Sequence, residues 1–174
     1  GVDWSGMSCQ TDKEGRPTAY QVDQVATIQD GERSVRPLTD EDRSDEIMGP
    51  AIAKIEKGLT MAAQAAFDDP GAVGITMEGG TAEIPWSEIA DNLINLPVTI
   101  SPDENNRMMW NSGREISVNQ RSFGVEVTPK ALVNGFLHEG AHSTPTESRA
   151  FDQLRLRPDF NTIHQGPYSP IRKF

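Results

Sequence analysis

Residues 132–144 read Leu-Val-Asn-Gly-Phe-Leu-His-Glu-Gly-Ala-His-Ser-Thr, and the rest of the chain is best read outward from them. His138 and His142 stand four positions apart, with Glu139 directly after the first, which is the H-E-x-x-H spacing. On an α-helix, positions i and i+4 lie one turn apart on one face. Two imidazoles placed there can converge on one ion, about 2.0–2.1 Å from each nitrogen for zinc. Glu139 is offset by one residue, so it can sit beside the metal without ligating it and accept a proton from water. The chain has three histidines and two of them fall at this spacing. The chemistry requires a helix, and Thr128-Pro129 supplies a start, with Thr as N-cap and Pro at N1. Ala131, Leu132, Phe136 and Leu137 then form an apolar stripe that buries it. Gly135 and Gly140 weaken the intrinsic preference for helix, and Gly140 suits close approach of the backbone to a neighbour. The plainer alternative is two surface histidines with no metal. A structural or inactive zinc site is a further one, but structural sites usually take four protein ligands and favour cysteine. The only cysteine, Cys9, lies far away in sequence.

A catalytic zinc site takes a third protein ligand and keeps one position open for water. Past His142 the chain runs Ser143-Thr144-Pro145-Thr146-Glu147-Ser148-Arg149-Ala150-Phe151. Thr144-x-x-Glu147, with Pro145 at N1, is a helix start, and Glu147 has two readings. It can close a capping box on the helix amides. Alternatively, Glu147, Ala150, Phe151 and Leu154 share one face, and a carboxylate on a buried face needs a compensating charge, which a metal supplies. Glu147 is therefore the candidate third ligand, with Asp152 second. The remaining histidine, His164, lies in Asn161-Thr162-Ile163-His164-Gln165-Gly166-Pro167-Tyr168. His164 or Tyr168 could donate to an oxyanion from a loop closing over the site, or the segment is an ordinary C-terminal loop.

Toward the N-terminus, Met108-Met109-Trp110, the turn Asn111-Ser112-Gly113 and Glu115-Ile116-Ser117-Val118 read as a hairpin. Val98-Thr99-Ile100 reads as a short strand. Pro85-Trp86-Ser87-Glu88 starts a short helix with Ile89, Leu93 and Ile94 inward, stopped by Pro97. Val73 to Met77 reads as a strand running into a turn at Glu78-Gly79-Gly80-Thr81. A stronger helix carries Ile52, Ile55, Leu59, Ala62, Ala63 and Ala66 and ends by Asp69-Pro70-Gly71. An earlier helical segment starts near Thr39-Asp40-Glu41 and is interrupted by Pro50. Residues 1–40 read as weak strands or an extended arm. Helices, then a small sheet, then two helices argue for an α+β fold in one domain over residues 1–174, with the catalytic core at about 98–174.

The net charge of −10 argues against recognition of a nucleic-acid backbone. It keeps the chain soluble, and it could steer it toward a basic partner. A single cysteine allows no intrachain disulfide. No apolar run approaches the length of a membrane span. The first residues lack the basic region and apolar core of a signal peptide. A start at Gly1 is read as a piece of something longer, whose export signal would then lie outside this sequence.

The strand 114–119, a short link, Leu-His-Glu-x-x-His and the nearby Glu147-Ser148-Arg149-Ala150 as Glu-x-x-Ala resemble the zincin-type metallopeptidase domains of bacterial effector and toxin modules. These include the C-terminal toxin domains of Rhs-type and other polymorphic toxins and some type III effector proteases. The resemblance covers roughly residues 108–155. It implies a zincin-like fold, with a small mixed or antiparallel sheet packed against an active-site helix and flanking helices. It implies Zn2+ on His138 and His142, Glu139 as general base, and Glu147 as the Glu of Glu-x-x-Ala. An edge strand near Ile116–Val118 would pair with an extended substrate. The expected partners are a protein or peptide substrate in a target cell and a cognate immunity protein, with no nucleic acid and no membrane span, and the expected place of action is inside a target cell after secretion. Only four residues separate His142 from Glu147, fewer than in many such domains, and the Gly and third His of metzincins are absent. Two rival functions are a zinc amidase acting on the cell wall and a non-catalytic binding module stiffened by metal.

Overall fold

A computed structural model of the chain describes residues 9–22, 24–77, 80–102, 108–120 and 128–153. Its elements, in chain order, are strands β1 (Cys9–Thr11), β2 (Pro17–Tyr20), β3 (Gln24–Gln29) and β4 (Glu32–Pro37), then helices α1 (Asp40–Ser44) and α2 (Met48–Asp68). The hairpin of β5 (Ala72–Met77) and β6 (Gly80–Pro85) follows, then α3 (Trp86–Asn95) and β7 (Val98–Ser101). Strands β8 (Met109–Asn111) and β9 (Ile116–Asn119) precede α4 (Pro129–Ala141) and α5 (Pro145–Gln153). The fold is mixed α+β.

The main sheet has the order β4-β3-β7-β9-β8, with β3, β7 and β9 mutually parallel and β4 and β8 antiparallel at its edges. Strand β9, expected as the edge, is an interior strand: β7 pairs along one side from Val98↔Ile116 to Ser101↔Asn119, and β8 pairs along the other. Among the described residues the edge nearest α4 is β8. The tight β3–β4 connection is Asp30-Gly31, with φ of 52° and 79°, as a two-residue hairpin turn requires. Residues 9–37, read as weak strands or an arm, form two hairpins that feed the core through Tyr20, Val22 and Val25.

Strand alternation sorts the sheet's two faces. Val25, Val98, Ile100, Ile116 and Val118 point into the apolar core. Thr99, Ser101, Ser117 and Asn119 alternate to the other face and are also fully buried. There Glu115 accepts from Thr99 Oγ1 at 2.7 Å and Ser117 Oγ at 3.2 Å, and pairs with Arg33. Buried hydroxyls are stable only when bonded, and Glu115 supplies the shared acceptor.

Helix α2 is the central beam. Its face of Ile52, Ile55, Leu59, Ala62, Ala63 and Ala66 is buried against β2, α3 and α4, each large side chain contributing about 1.5–3 kcal/mol. Pro50, expected to interrupt the segment that starts near Thr39, lies inside the first turn of α2, where its missing N–H has no helical acceptor to lose. The break falls at residues 45–47, where the Asp45 carboxylate accepts from the amides of Ile47 and Met48 at 2.9 and 2.7 Å. Helix α1 is short and held by a Thr39–Asp42 capping box. Cys9 is buried, and that burial pushes its thiol up to about 11, which makes it a packing residue rather than a nucleophile. Tyr20 donates its hydroxyl to the carbonyl of Leu93, tying β2 to α3.

Candidate metal centre

Helix α4 begins as its sequence implies. Thr128 Oγ1 accepts from Ala131 N at 3.1 Å and Pro129 follows at N1. Leu132, Val133, Phe136, Leu137 and Ala141 bury one face against α2 and α3. Gly140 is where α3 comes closest: a Cβ there would stand 2.9 Å from Leu93 Cγ and 3.1 Å from Ile89 Cγ2. The last turn of α4 is therefore fixed by packing, and it carries His138 and Glu139.

His142 is the C-cap rather than the last helical residue, with extended φ −68° and ψ 143°. Its ring still comes round beside that of His138. The two Nε2 atoms are 3.2 Å apart, and the rings meet edge to face at 72° with centroids 4.9 Å apart. Ligand atoms of His138, Glu139 and His142 all lie within 4.8 Å of one another. Two imidazole nitrogens, each about 2.0–2.1 Å from one tetrahedral zinc, stand about 3.3–3.4 Å apart. The observed spacing fits that requirement to within about 0.2 Å, so the two imidazoles suit the ion, and among the described residues the further ligand atom grouped with them is a Glu139 carboxylate oxygen.

The structure places Glu147 behind His142. Its Oε2 is 3.0 Å from His142 Nδ1, and its Oε1 accepts from Ser143 N at 3.0 Å. Nδ1 and Nε2 lie on opposite edges of the ring, so this carboxylate is on the side away from the Nε2 pair, where an outer partner of a histidine ligand stands. An ionised carboxylate only accepts, so it bonds the imidazole tautomer that carries its proton on Nδ1, which leaves the Nε2 lone pair on the His138 side. Glu147 is buried on α5, as its helical face implies. Half of the capping box is also present: Thr144 Oγ1 accepts from Glu147 N at 3.2 Å, while the Glu147 side chain takes the amide of Ser143, one residue before the cap. Asp152, the second candidate ligand, is exposed on α5. His164 and Tyr168 lie outside the described residues.

The turn joining α4 to α5 is tight. Ser143 has φ +65°, which is uncommon for a residue with a side chain. Thr144 serves both helices, donating to Ala141 O at 3.0 Å while capping α5. Glu88 on α3 holds the first turn of α5, accepting from Thr146 N at 2.8 Å and Thr146 Oγ1 at 2.6 Å.

Two asparagines that the sequence pattern did not single out complete the end of α4. Asn111 Nδ2 donates to Glu139 O at 2.8 Å and His142 O at 3.0 Å. Asn92 Nδ2 donates to Gly140 O at 2.9 Å and His142 O at 3.0 Å. Asn111 was visible in sequence only as a turn residue. Asn92 lies on α3, 50 residues before His142, with no local signal to connect them. No protein-family model, curated protein or solved structure matches the chain.

Proposed function

We propose that this chain is a zinc-dependent hydrolase of the zincin type, cleaving peptide bonds. The observation that carries the reading is the 3.2 Å separation of His138 Nε2 and His142 Nε2, with the buried Glu139 carboxylate in the same cluster. Zinc held by those two nitrogens would polarise the scissile carbonyl and make a water more acidic. Glu139 accepts a proton from the attacking water and passes it to the leaving nitrogen. The C–O bond forms from that water as the amide C–N bond breaks, so acid and amine are the products. Glu147 holds His142 in the tautomer that presents Nε2. The sequence resemblance supports an effector or toxin role, with a protein of a target cell as substrate and an immunity protein as partner.

Metal content and peptidase activity of three proteins test this. The wild-type chain and Glu139→Gln are expected to retain about one zinc each, and Glu139→Gln to lose activity by at least about 100-fold. Glu147→Ala is expected to bind zinc about 10–100-fold more weakly, as loss of an outer partner does. Complete loss of zinc from Glu147→Ala would make Glu147 a direct ligand. Wild-type protein that takes up no zinc when it is supplied would end the reading. Activity confined to cell-wall amides would keep the metal centre and replace the substrate.

A further inference from the structure

The C-terminus of a helix leaves its last carbonyls without helical partners, and water or a left-handed glycine usually resolves this. At the end of helix α4 the left-handed residue is Ser143, and side chains take the carbonyls. Four consecutive carbonyls are met by side chains: Glu139 by Asn111, Gly140 by Asn92, Ala141 by Thr144, and His142 by both asparagines together. A side-chain amide has two N–H donors, so each asparagine commits its Nδ2 to two of these carbonyls. Asn111 is itself fixed, because its Oδ1 accepts from Gly113 N at 2.7 Å.

We infer that Asn92 and Asn111 are positioning residues that set the place of the His142 imidazole. The inference rests on the reading of His138 and His142 as a metal pair. His142 lies past the last residue of α4, with extended backbone, so the helical hydrogen-bond ladder does not determine where its Cα sits. Its carbonyl is held from α3 and from β8 at once, while its ring is held from α5 by Glu147. Three separate elements thus converge on one residue. Helix α4 supplies His138 and Glu139 from its own geometry but depends on these elements for His142. A metal site tolerates errors of only about 0.5 Å in its ligands, which gives the clamp its function.

The experiment compares wild type with Asn92→Ala, Asn111→Ala, the double variant, and Asn95→Ala as a comparator. Asn95→Ala removes an asparagine of the same helix α3 whose amide donates to Asp91 O and not to the α4 carbonyls. Zinc affinity is measured by competition with a chelator on protein shown to be folded. The imidazole nitrogens are followed by NMR without metal. Each single asparagine variant should weaken zinc binding by about 10–100-fold. The double variant should lose more than the product of the two, because either amide alone still holds the His142 carbonyl. The His142 Nδ1–H signal, sharp in wild type, should broaden in the double variant, and Asn95→Ala should match wild type in both readouts. A folded double variant with wild-type affinity and wild-type ring signals overturns the inference. Should the double variant fail to fold, the single variants carry the same readouts. Wild type that binds no zinc removes the metal reading alone, and the ring signals then decide the positioning role.

Discussion

Helices α2 and α4 are buried by the same kind of apolar stripe, yet they end in different ways. Helix α2 stops at Asp69-Pro70-Gly71, with Asp69 N bonding back to Ala66 O and the Asp69 carboxylate taking the amide of Gly71 at 2.8 Å. The bonds that turn the chain there are local and proline forbids continuation, while Arg16 pairs with the exposed Asp68 side chain and Trp86 N bonds to Gly71 O. Helix α4 stops at His142, and its terminal carbonyls are met by Asn92, Asn111 and Thr144. A helix that serves as a beam can fray at its end without consequence. The helix whose final turn carries the proposed metal pair is ended by side chains brought from other elements, which fix its terminal carbonyls.

The largest break in this contrast should come from the beam. Leu59 is fully buried in α2, and Leu59→Ala should cost about 2–5 kcal/mol, read as a lower urea midpoint. Zinc affinity of the protein that remains folded should not change, since no side chain of α2 reaches the His138–His142 pair through the bonds described above. A large loss of affinity in folded Leu59→Ala would show that the site is not fixed locally by α3, β8 and α5.

The next test lies within α4 and sets two glycines against each other. In Gly140→Ala the new methyl would meet the branch carbon of the buried Leu93 at 2.9 Å. Overpacking costs about 1–3 kcal/mol, while the alanine returns about 1 kcal/mol of helix preference, so the net is destabilising by up to about 2 kcal/mol. Helix α4 must also shift at the residue beside Glu139, so zinc affinity should fall. In Gly135→Ala the nearest atoms are the mobile tips of Met108 and Met109, at 2.7 and 2.9 Å. Methionine yields easily, so Gly135→Ala should be neutral or mildly stabilising and keep its zinc. Equal behaviour of the two variants, in stability and in metal affinity, would remove the special tightness claimed for the α3–α4 contact.

The same local and remote division explains what could be read from sequence. Helix α4 was legible because Thr128-Pro129 and the stripe 132–137 are local signals, and so was the burial of Glu147, from its helical face. The β8–β9 hairpin followed from its turn residues. Asp30-Gly31 was an equally strong hairpin signal that went unused, and β3 was read only as a weak strand. The parallel pairing of β7 with β9 is not legible in sequence, because no hairpin turn joins the two strands to set their register, so nothing in the sequence opposes the edge position that the resemblance implies for β9. Pro50 reads as an interruption because its position within the first turn depends on where Asp45 starts the helix. The contact of Glu147 with the far side of the His142 ring is set by the Ser143 turn, whose positive φ no residue type announces.

Thr144 gives the sharpest distinction. Its hydroxyl accepts from Glu147 N and donates to Ala141 O, and the side chain is fully buried. Thr144→Val keeps the shape and removes both bonds. The loss of a cap costs about 1 kcal/mol, and the Ala141 carbonyl left without its donor adds to that, by about 1–3 kcal/mol if no water reaches it. Stability should therefore fall by about 1–4 kcal/mol. Zinc affinity should fall less than in Asn92→Ala or Asn111→Ala, because Thr144 holds the carbonyl before His142 and not that of His142 itself. Measured by the same chelator competition, an affinity loss in Thr144→Val as large as in the asparagine variants would mean that the helix end acts as one rigid block. A smaller loss would locate the control of His142 in the two amides that grip its carbonyl.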